Sequence, residues 1–261
     1  MRKAKFAVIL AFVTGSAVLA QPPQAQRAGR PISFVACPEF RDTARQCWLA
    51  ETGGKTYYIG GFTIGTPPQL LHKVLVEGVA HDDEVSCGAI NIDPISISPL
   101  AELDYNCDTV LPDNGTGPRG GSIFDLPAEV LARNGADVPS PPPLSQPATF
   151  DITFDFDRSN LNLLNQGKVE MMARAIMASQ VTRVIVTGHA GRSRLSDDSM
   201  LVENPAIGAQ RAAVISAALI GIGVSPALLV TRDAKQPSSD NTADGVASRN
   251  VRVEIDLGAK H

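Results

Sequence analysis

The stretch from Val184 to Ala218 constrains the fold more than any other part of the chain. It runs Val-Ile-Val-Thr-Gly-His-Ala, then a polar loop, then Asn-Pro-Ala-Ile-Gly-Ala-Gln-Arg-Ala-Ala-Val-Ile. A β-branched run entering a glycine turn reads as a strand. Ile207, Val214, Ile215, Ala218, Leu219 and Ile222 then recur at helical spacing, and Gly223 ends the helix. Strand Val181–Thr187 has a near-continuous apolar centre, which predicts burial on both faces, or nearly so.

Its surroundings complete a pattern. Phe150, Ile152, Phe154 and Phe156 alternate with Asp151, Thr153, Asp155 and Asp157, a half-buried strand. Ser159 is placed to cap a helix whose stripe is Leu161, Leu164, Met172 and Ile176. Ala227–Thr231 reads as a short strand. In the last strand Val251, Val253, Ile255 and Leu257 alternate with Arg252, Glu254 and Asp256. The order is strand–helix–strand–helix–strand–strand. Right-handed crossovers place both helices on one face of a mixed sheet, an α+β fold.

Three motifs in this half resemble those of the outer-membrane-protein-A-like (OmpA-like) peptidoglycan-binding domain. The second strand ends in Thr187-Gly188-His189-Ala190-Gly191, similar to the family's Thr-Gly-His-Thr-Asp turn. Asn204 precedes Arg211-Ala212 at the family's spacing, with Ile207 and Gly208 at its usual leucine and serine positions. The chain closes on Asn250-Val251-Arg252-Val253-Glu254-Ile255, where the family has Asn-Arg-Arg-Val-Glu-Ile. The resemblance covers residues 149–257.

It implies that Arg211, Asn204, Thr187, Gly188 and His189 form a site for the diaminopimelate of the peptidoglycan stem peptide. An arginine can grip the ligand's carboxylate through two charge-assisted hydrogen bonds, helped by the nearby helix start. The family's aspartate, which would meet the ammonium, is replaced by Gly191. Losing one charged hydrogen bond costs about 1.5–3 kcal/mol. Two readings follow. The expected function is non-covalent peptidoglycan binding; the alternative is that the domain keeps the fold as a structural or protein-interaction module without that ligand. The segment between Gly191 and Asn204 is longer than the family's and carries Asp197, Asp198 and Glu203. Under the binding reading, Asp197 or Asp198 folds back to replace the missing carboxylate. No nucleophile-elbow motif accompanies His189, so no enzyme is expected.

The first half has a different character. Cys37, Cys47, Cys87 and Cys107 lie in it. In an exported chain they predict two disulfides, with three pairings open. No close pair supports a zinc site. Trp48–Glu51 and Thr56–Ile59 flank Gly53-Gly54, a hairpin signal. Lys73–Val79 and Val85–Ile90 flank an acidic turn at His81–Glu84. These short strands predict a small disulfide-stapled all-β domain, a barrel or sandwich, over residues 34–112. A membrane barrel of eight strands would need more chain. Residues 21–33 are expected to be disordered. Residues 113–148, rich in Gly and Pro, form a linker that lets the halves move independently, with one short helix at Leu126–Arg133.

Residues 1–20 read as a signal peptide: a basic start, an apolar run from Phe6 to Ala20, and small residues Val18 and Ala20 before the cut. No later stretch is long and apolar enough to span a membrane. The formal net charge of −4 gives no footprint for nucleic acid. No cofactor or metal is implied. The expected setting is the periplasm, at the outer membrane or cell wall, with another envelope protein as partner of the N-terminal half.

Overall fold

A computed structural model describes residues 29–43, 47–60, 66–117, 141–234 and 244–258. The signal-peptide segment and the short helix expected at Leu126–Arg133 lie outside these residues. No helix among the described residues is long and apolar enough to cross a membrane.

The N-terminal half is one seven-stranded mixed sheet. Its strands are β1 (Arg30–Ala36), β2 (Pro38–Arg41), β3 (Cys47–Thr52), β4 (Lys55–Gly60), β5 (His72–Ser86), β6 (Ala89–Leu103) and β7 (Val110–Leu111), in the order β1-β5-β6-β4-β3-β2-β7. The sheet curls so that Phe34 of β1 packs against Tyr57 of β4, their rings 5.6 Å apart. Ile32, Phe34, Tyr57, Ile59, Val74, Val76 and Ile97 share its core. Among the described residues the edge strands β1 and β7 do not pair, and the seven strands form a single curled sheet.

Two disulfides staple the sheet in a nested pattern, Cys37–Cys107 and Cys47–Cys87. Gly53 and Gly54 turn the β3–β4 hairpin as expected, both with positive φ (58° and 70°).

Two expectations for this half are corrected. Arg30–Ser33, expected to be disordered, begins β1, because Ile32 and Phe34 are buried on the sheet. His81–Glu84 is not a turn. β5 runs through it with a register shift between His81 and Val85, and the reversal falls at Cys87-Gly88 (φ 54° and 76°). There Gly88 supplies the left-handed conformation, and Cys87, bonded to Cys47, shares it.

In the C-terminal half, β8 (Ala148–Thr153), β9 (Val181–His189), β12 (Leu229–Ala234) and β13 (Asn250–Leu257) form a sheet ordered β12-β9-β13-β8. β12 is parallel to β9, while β13 is antiparallel to β9 and β8. Helices α1 (Leu163–Met177) and α2 (Ile207–Ile222) pack on one face. Ile152, Val169, Met172, Ile176, Val184, Val186, Ile215, Leu219, Val251, Val253 and Ile255 make one core between them. Val184, Ile185 and Val186 are all buried, as the apolar centre of that strand predicts.

The cap of α1 is Asn162, whose Oδ1 accepts from the Asn165 N–H at 3.0 Å, not Ser159. Leu164, expected on the buried stripe, is largely exposed. The long segment after Gly191 contains a small hairpin of its own, β10 (Arg192–Arg194) and β11 (Met200–Val202), paired only with each other.

The halves are docked, contrary to the expected independence. Ser98 Oγ, in β6, accepts from the Phe156 N–H at 2.8 Å. Pro99 O accepts from Arg158 at 3.1 Å, and Thr66 Oγ1 donates to the Asp155 carboxylate. These bonds join β6 and the loop before β5 to the turn after β8.

Candidate functional site: the Arg211 pocket and the joint beside it

The start of α2 sits against the end of β9 because both backbones are bare there. A Cβ on Gly188 would strike the carbonyl oxygen of Gly208. Asn204 shapes the entry to α2. Its Oδ1 accepts from the Ala206 N–H at 2.9 Å, and its own N–H donates to Asp157 Oδ1 at 2.8 Å. Asp157 takes a left-handed φ of 52°, a conformation Asp tolerates better than most residues. One turn into α2, Arg211 points inward on the face that also carries Ile207 and Ile215.

Arg211 is fully buried, and all five of its N–H donors have acceptors. Nη1 donates to Glu203 Oε2 at 2.7 Å and to the His189 carbonyl at 2.9 Å. Nη2 donates to Glu203 Oε1 at 2.6 Å and to the Asp155 carbonyl at 3.0 Å. Nε donates to the Arg158 carbonyl at 2.8 Å. The guanidinium lies 5.2 Å from the centroid of the Phe154 ring, a cation–π geometry.

Glu203 is as completely satisfied. Oε1 also accepts from the Asp157 N–H at 2.8 Å, and Oε2 from the Gly191 N–H at 2.6 Å. Four donors therefore converge on one carboxylate with no solvent exposure of either side chain. Such a pair is strongly destabilised when one member is removed, because the other is left buried and uncompensated.

The sequence-predicted residues divide. Arg211, Asn204, Gly188 and His189 come together, His189 through its carbonyl. Thr187 lies on the other parity of β9 from Val186 and Gly188, on the face away from the helices. Asp197 and Asp198 are exposed in the β10–β11 turn. Asp197 accepts from the Ser199 hydroxyl at 2.6 Å and the Ser199 N–H at 3.0 Å. These bonds, the hydroxyl first, lower its pKa below the usual carboxylate value. The acid of the long segment that folds back is Glu203, and it meets the arginine rather than replacing the family's aspartate. Its adjacency to Asn204, on the same side of the arginine, is the signal that could have singled it out.

Gly191 is required by packing. A Cβ there would collide with Arg249 Cγ and Ser248 Oγ. Arg249 is the second fully buried arginine, and sequence reasoning missed it. Its Nη1 donates to Ser193 Oγ at 2.6 Å and to Glu77 Oε1 at 3.2 Å, and Nη2 meets Glu77 Oε2. Its Nε donates to the Phe154 carbonyl at 3.3 Å. Glu77 belongs to β5, so this ion pair joins the halves. Ser193 Oγ, in β10, also donates to Glu77 Oε1 at 2.9 Å.

Among the described residues, the group of potential metal ligands at Cys37, Asp104 and Cys107 is otherwise engaged. The cysteines are bonded to each other, and Lys73 and Asn106 hold Asp104.

No protein-family profile and no curated protein matches this chain. Solved structures do. The OmpA-like domain of FopA1 from Francisella tularensis is 16% identical, with a TM-score of 0.37, over 44% of this chain and 75% of that one. The periplasmic domain of Helicobacter pylori MotB is 17% identical, with a TM-score of 0.35, over 44% and 80%. The peptidoglycan-associated lipoprotein from Burkholderia pseudomallei is 19% identical, with a TM-score of 0.31, over 41% and 87%. Each of these three matches spans less than half of this chain.

Proposed function

We propose that this chain is an exported cell-envelope protein whose OmpA-like half is a structural or protein-interaction module, its ligand position closed from within. The observation that carries this reading is the Arg211–Glu203 pair: every donor of the arginine is used internally, and the carboxylate it grips is the chain's own. The tight fit of Gly191 supports it, because an aspartate there has no room in this packing. In this reading residues 1–20 direct export to the periplasm. Residues 30–112 form the β domain, 113–147 the linker and 148–257 the OmpA-like domain. The β domain meets another envelope protein.

A second reading is favoured by the Asn204 and Arg211 spacing and by a pocket that does accept a carboxylate. In it the domain binds the diaminopimelate of the peptidoglycan stem peptide, which displaces Glu203. The two readings separate in sedimentation of the oxidised mature protein with isolated peptidoglycan sacculi at neutral pH. The closed-site reading expects the protein to stay in the supernatant. Pelleting that free diaminopimelate reverses overturns it in favour of wall binding.

A further inference from the structure

We infer that the β10–β11 hairpin is a strap held down by the N-terminal sheet, so that docking of the two halves keeps Glu203 seated on Arg211. The inference rests on the closed-site reading and adds what maintains the closure.

Glu203 follows immediately after the hairpin, and its position is set at the hairpin's root. The Gly191 N–H donates to the Glu203 carboxylate, and the Glu203 N–H donates to the Gly191 carbonyl at 3.1 Å. The hairpin has three residues in each strand and joins neither large sheet. A two-stranded hairpin of that size does not hold its shape alone in water. It buries little apolar surface, with Met200 and Val202 exposed and Ser193 the buried residue of β10.

Polar contacts hold it, and they come from both halves. On the C-terminal side the Arg192 N–H donates to Ser248 Oγ at 3.0 Å, the Gly245 N–H donates to the Arg192 carbonyl at 2.7 Å, and Asp244 pairs with Arg192 at 2.7 Å. On the N-terminal side Ser193 Oγ donates to Glu77. The Ser196 N–H donates to the Ser33 carbonyl at 2.7 Å, and the Ser33 N–H donates to Ser196 Oγ at 2.9 Å. Ser196 thereby caps the outer edge of β1 at Ser33. A groove of about 430 Å³ runs beside these contacts, lined by Ile32, Ser33, Glu77, Arg194, Leu195 and Ser196 among others. Water therefore reaches the strap, and of the residues in the two apolar cores Ile32 alone lines the groove.

The links form a continuous chain: Glu77 to Ser193 and Arg249, Arg249 against Gly191, Gly191 to Glu203, and Glu203 to Arg211. Weakening the first link frees the last carboxylate without opening either core. Elements with few apolar contacts open locally before the whole fold does.

The test is amide hydrogen exchange on the oxidised full chain, comparing wild type with Glu77→Gln. The readouts are the Gly191 and Asp157 amides, which donate to Glu203. We expect them to exchange about tenfold faster in the variant, as the loss of a charge-assisted hydrogen bond would give. Val184 and Val186 in β9 should keep wild-type protection. Unchanged protection at Gly191 and Asp157 overturns the inference. So does a uniform rise that includes Val184 and Val186, since the strap would then have no opening of its own.

Ser196→Ala removes one edge contact and leaves the buried ion pair intact, so it serves if Glu77→Gln fails to fold. The same two amides should loosen, by less, and no change there overturns the inference equally. Sacculi play no part in this readout. A strap that stays shut leaves the closed-site reading standing. Pelleting of wild type with sacculi overturns that reading, whatever the exchange shows.

Discussion

Arg211 and Arg249 are both fully buried, both lie within 6 Å of a phenylalanine ring, and both grip a glutamate. Their settings differ. The partner of Arg211 lies eight residues upstream in the same half, and three backbone carbonyls complete its shell. The partner of Arg249 lies 172 residues away in the other half, and its shell includes a serine hydroxyl from the inserted hairpin. Glu203 is sealed, whereas the Glu77 side chain keeps 9% of its exposure beside the groove. The same chemistry does two jobs. One pair closes a pocket inside a domain. The other joins two domains at a place water can reach, and such a joint can loosen without dissolving a core.

The comparison is broken most directly at the sealed pair. Glu203→Ala leaves a buried guanidinium without its carboxylate and strands the Asp157 and Gly191 N–H groups. We expect a loss of about 3–5 kcal/mol in unfolding free energy, read from denaturant melts with unchanged slope. Glu77→Ala should cost less, about 2–3 kcal/mol, because water entering from the groove can solvate Arg249. Equal losses would mean that the joint is as sealed as the pocket. A loss below about 1 kcal/mol for Glu203→Ala would mean that the pair adds nothing beyond an exposed salt bridge.

Gly191 stands between the two arginines and sharpens the comparison. Gly191→Asp places a carboxylate in that turn, but its Cβ collides with Arg249 Cγ and the Ser248 backbone. Overpacking of this kind typically costs about 1–3 kcal/mol. We expect a destabilised protein that still does not pellet with sacculi. A variant as stable as wild type that does pellet would show that Arg249 gives way easily, and that the glycine alone keeps the domain off the wall.

The two regions also differ in how far the sequence foretold them. The C-terminal elements were legible because periodicity reports burial directly. The alternation of Val251, Val253 and Ile255 faces the core, as do Ile215 and Leu219 of the helical stripe; Ile207 is buried, Val214 and Ala218 are partly buried, and Ile222, at the helix end, is exposed. Arg211 was legible as a site residue through its spacing from Asn204. Its partner was not, because three acids lie in one polar segment and only the hairpin's fold decides which one turns inward. Glu77 and Arg249 carried no local signal. Their pairing depends on how two halves dock across a linker, and no spacing encodes that. In the N-terminal half the acidic run His81–Glu84 suggested a turn. The strand passes through it because both flanks still pair with β6, Ala80 with Ile92 and Val85 with Ile90.

The smallest expected effect lies at the surface, in contrast to both buried pairs. Asp104, just after β6, accepts from the Asn106 N–H at 3.0 Å and faces Lys73 at 3.0 Å. The Asn106 N–H first, then Lys73 and the Asn106 side chain, hold its pKa below the usual carboxylate value. A carboxylate whose folded pKa is depressed stabilises the fold at pH above its unfolded value. That contribution disappears as pH falls through the lower folded value. Asp104→Asn should therefore lower the denaturant midpoint slightly at neutral pH, with the difference vanishing in acid. It should also shrink in high salt, since Lys73 is half exposed and its attraction is screened. Buried pairs are screened much less, so the loss in Glu203→Ala should survive the same salt. If salt erased both differences alike, Glu203 would be solvated in solution, and the contrast between a sealed pocket and a wet joint would not stand.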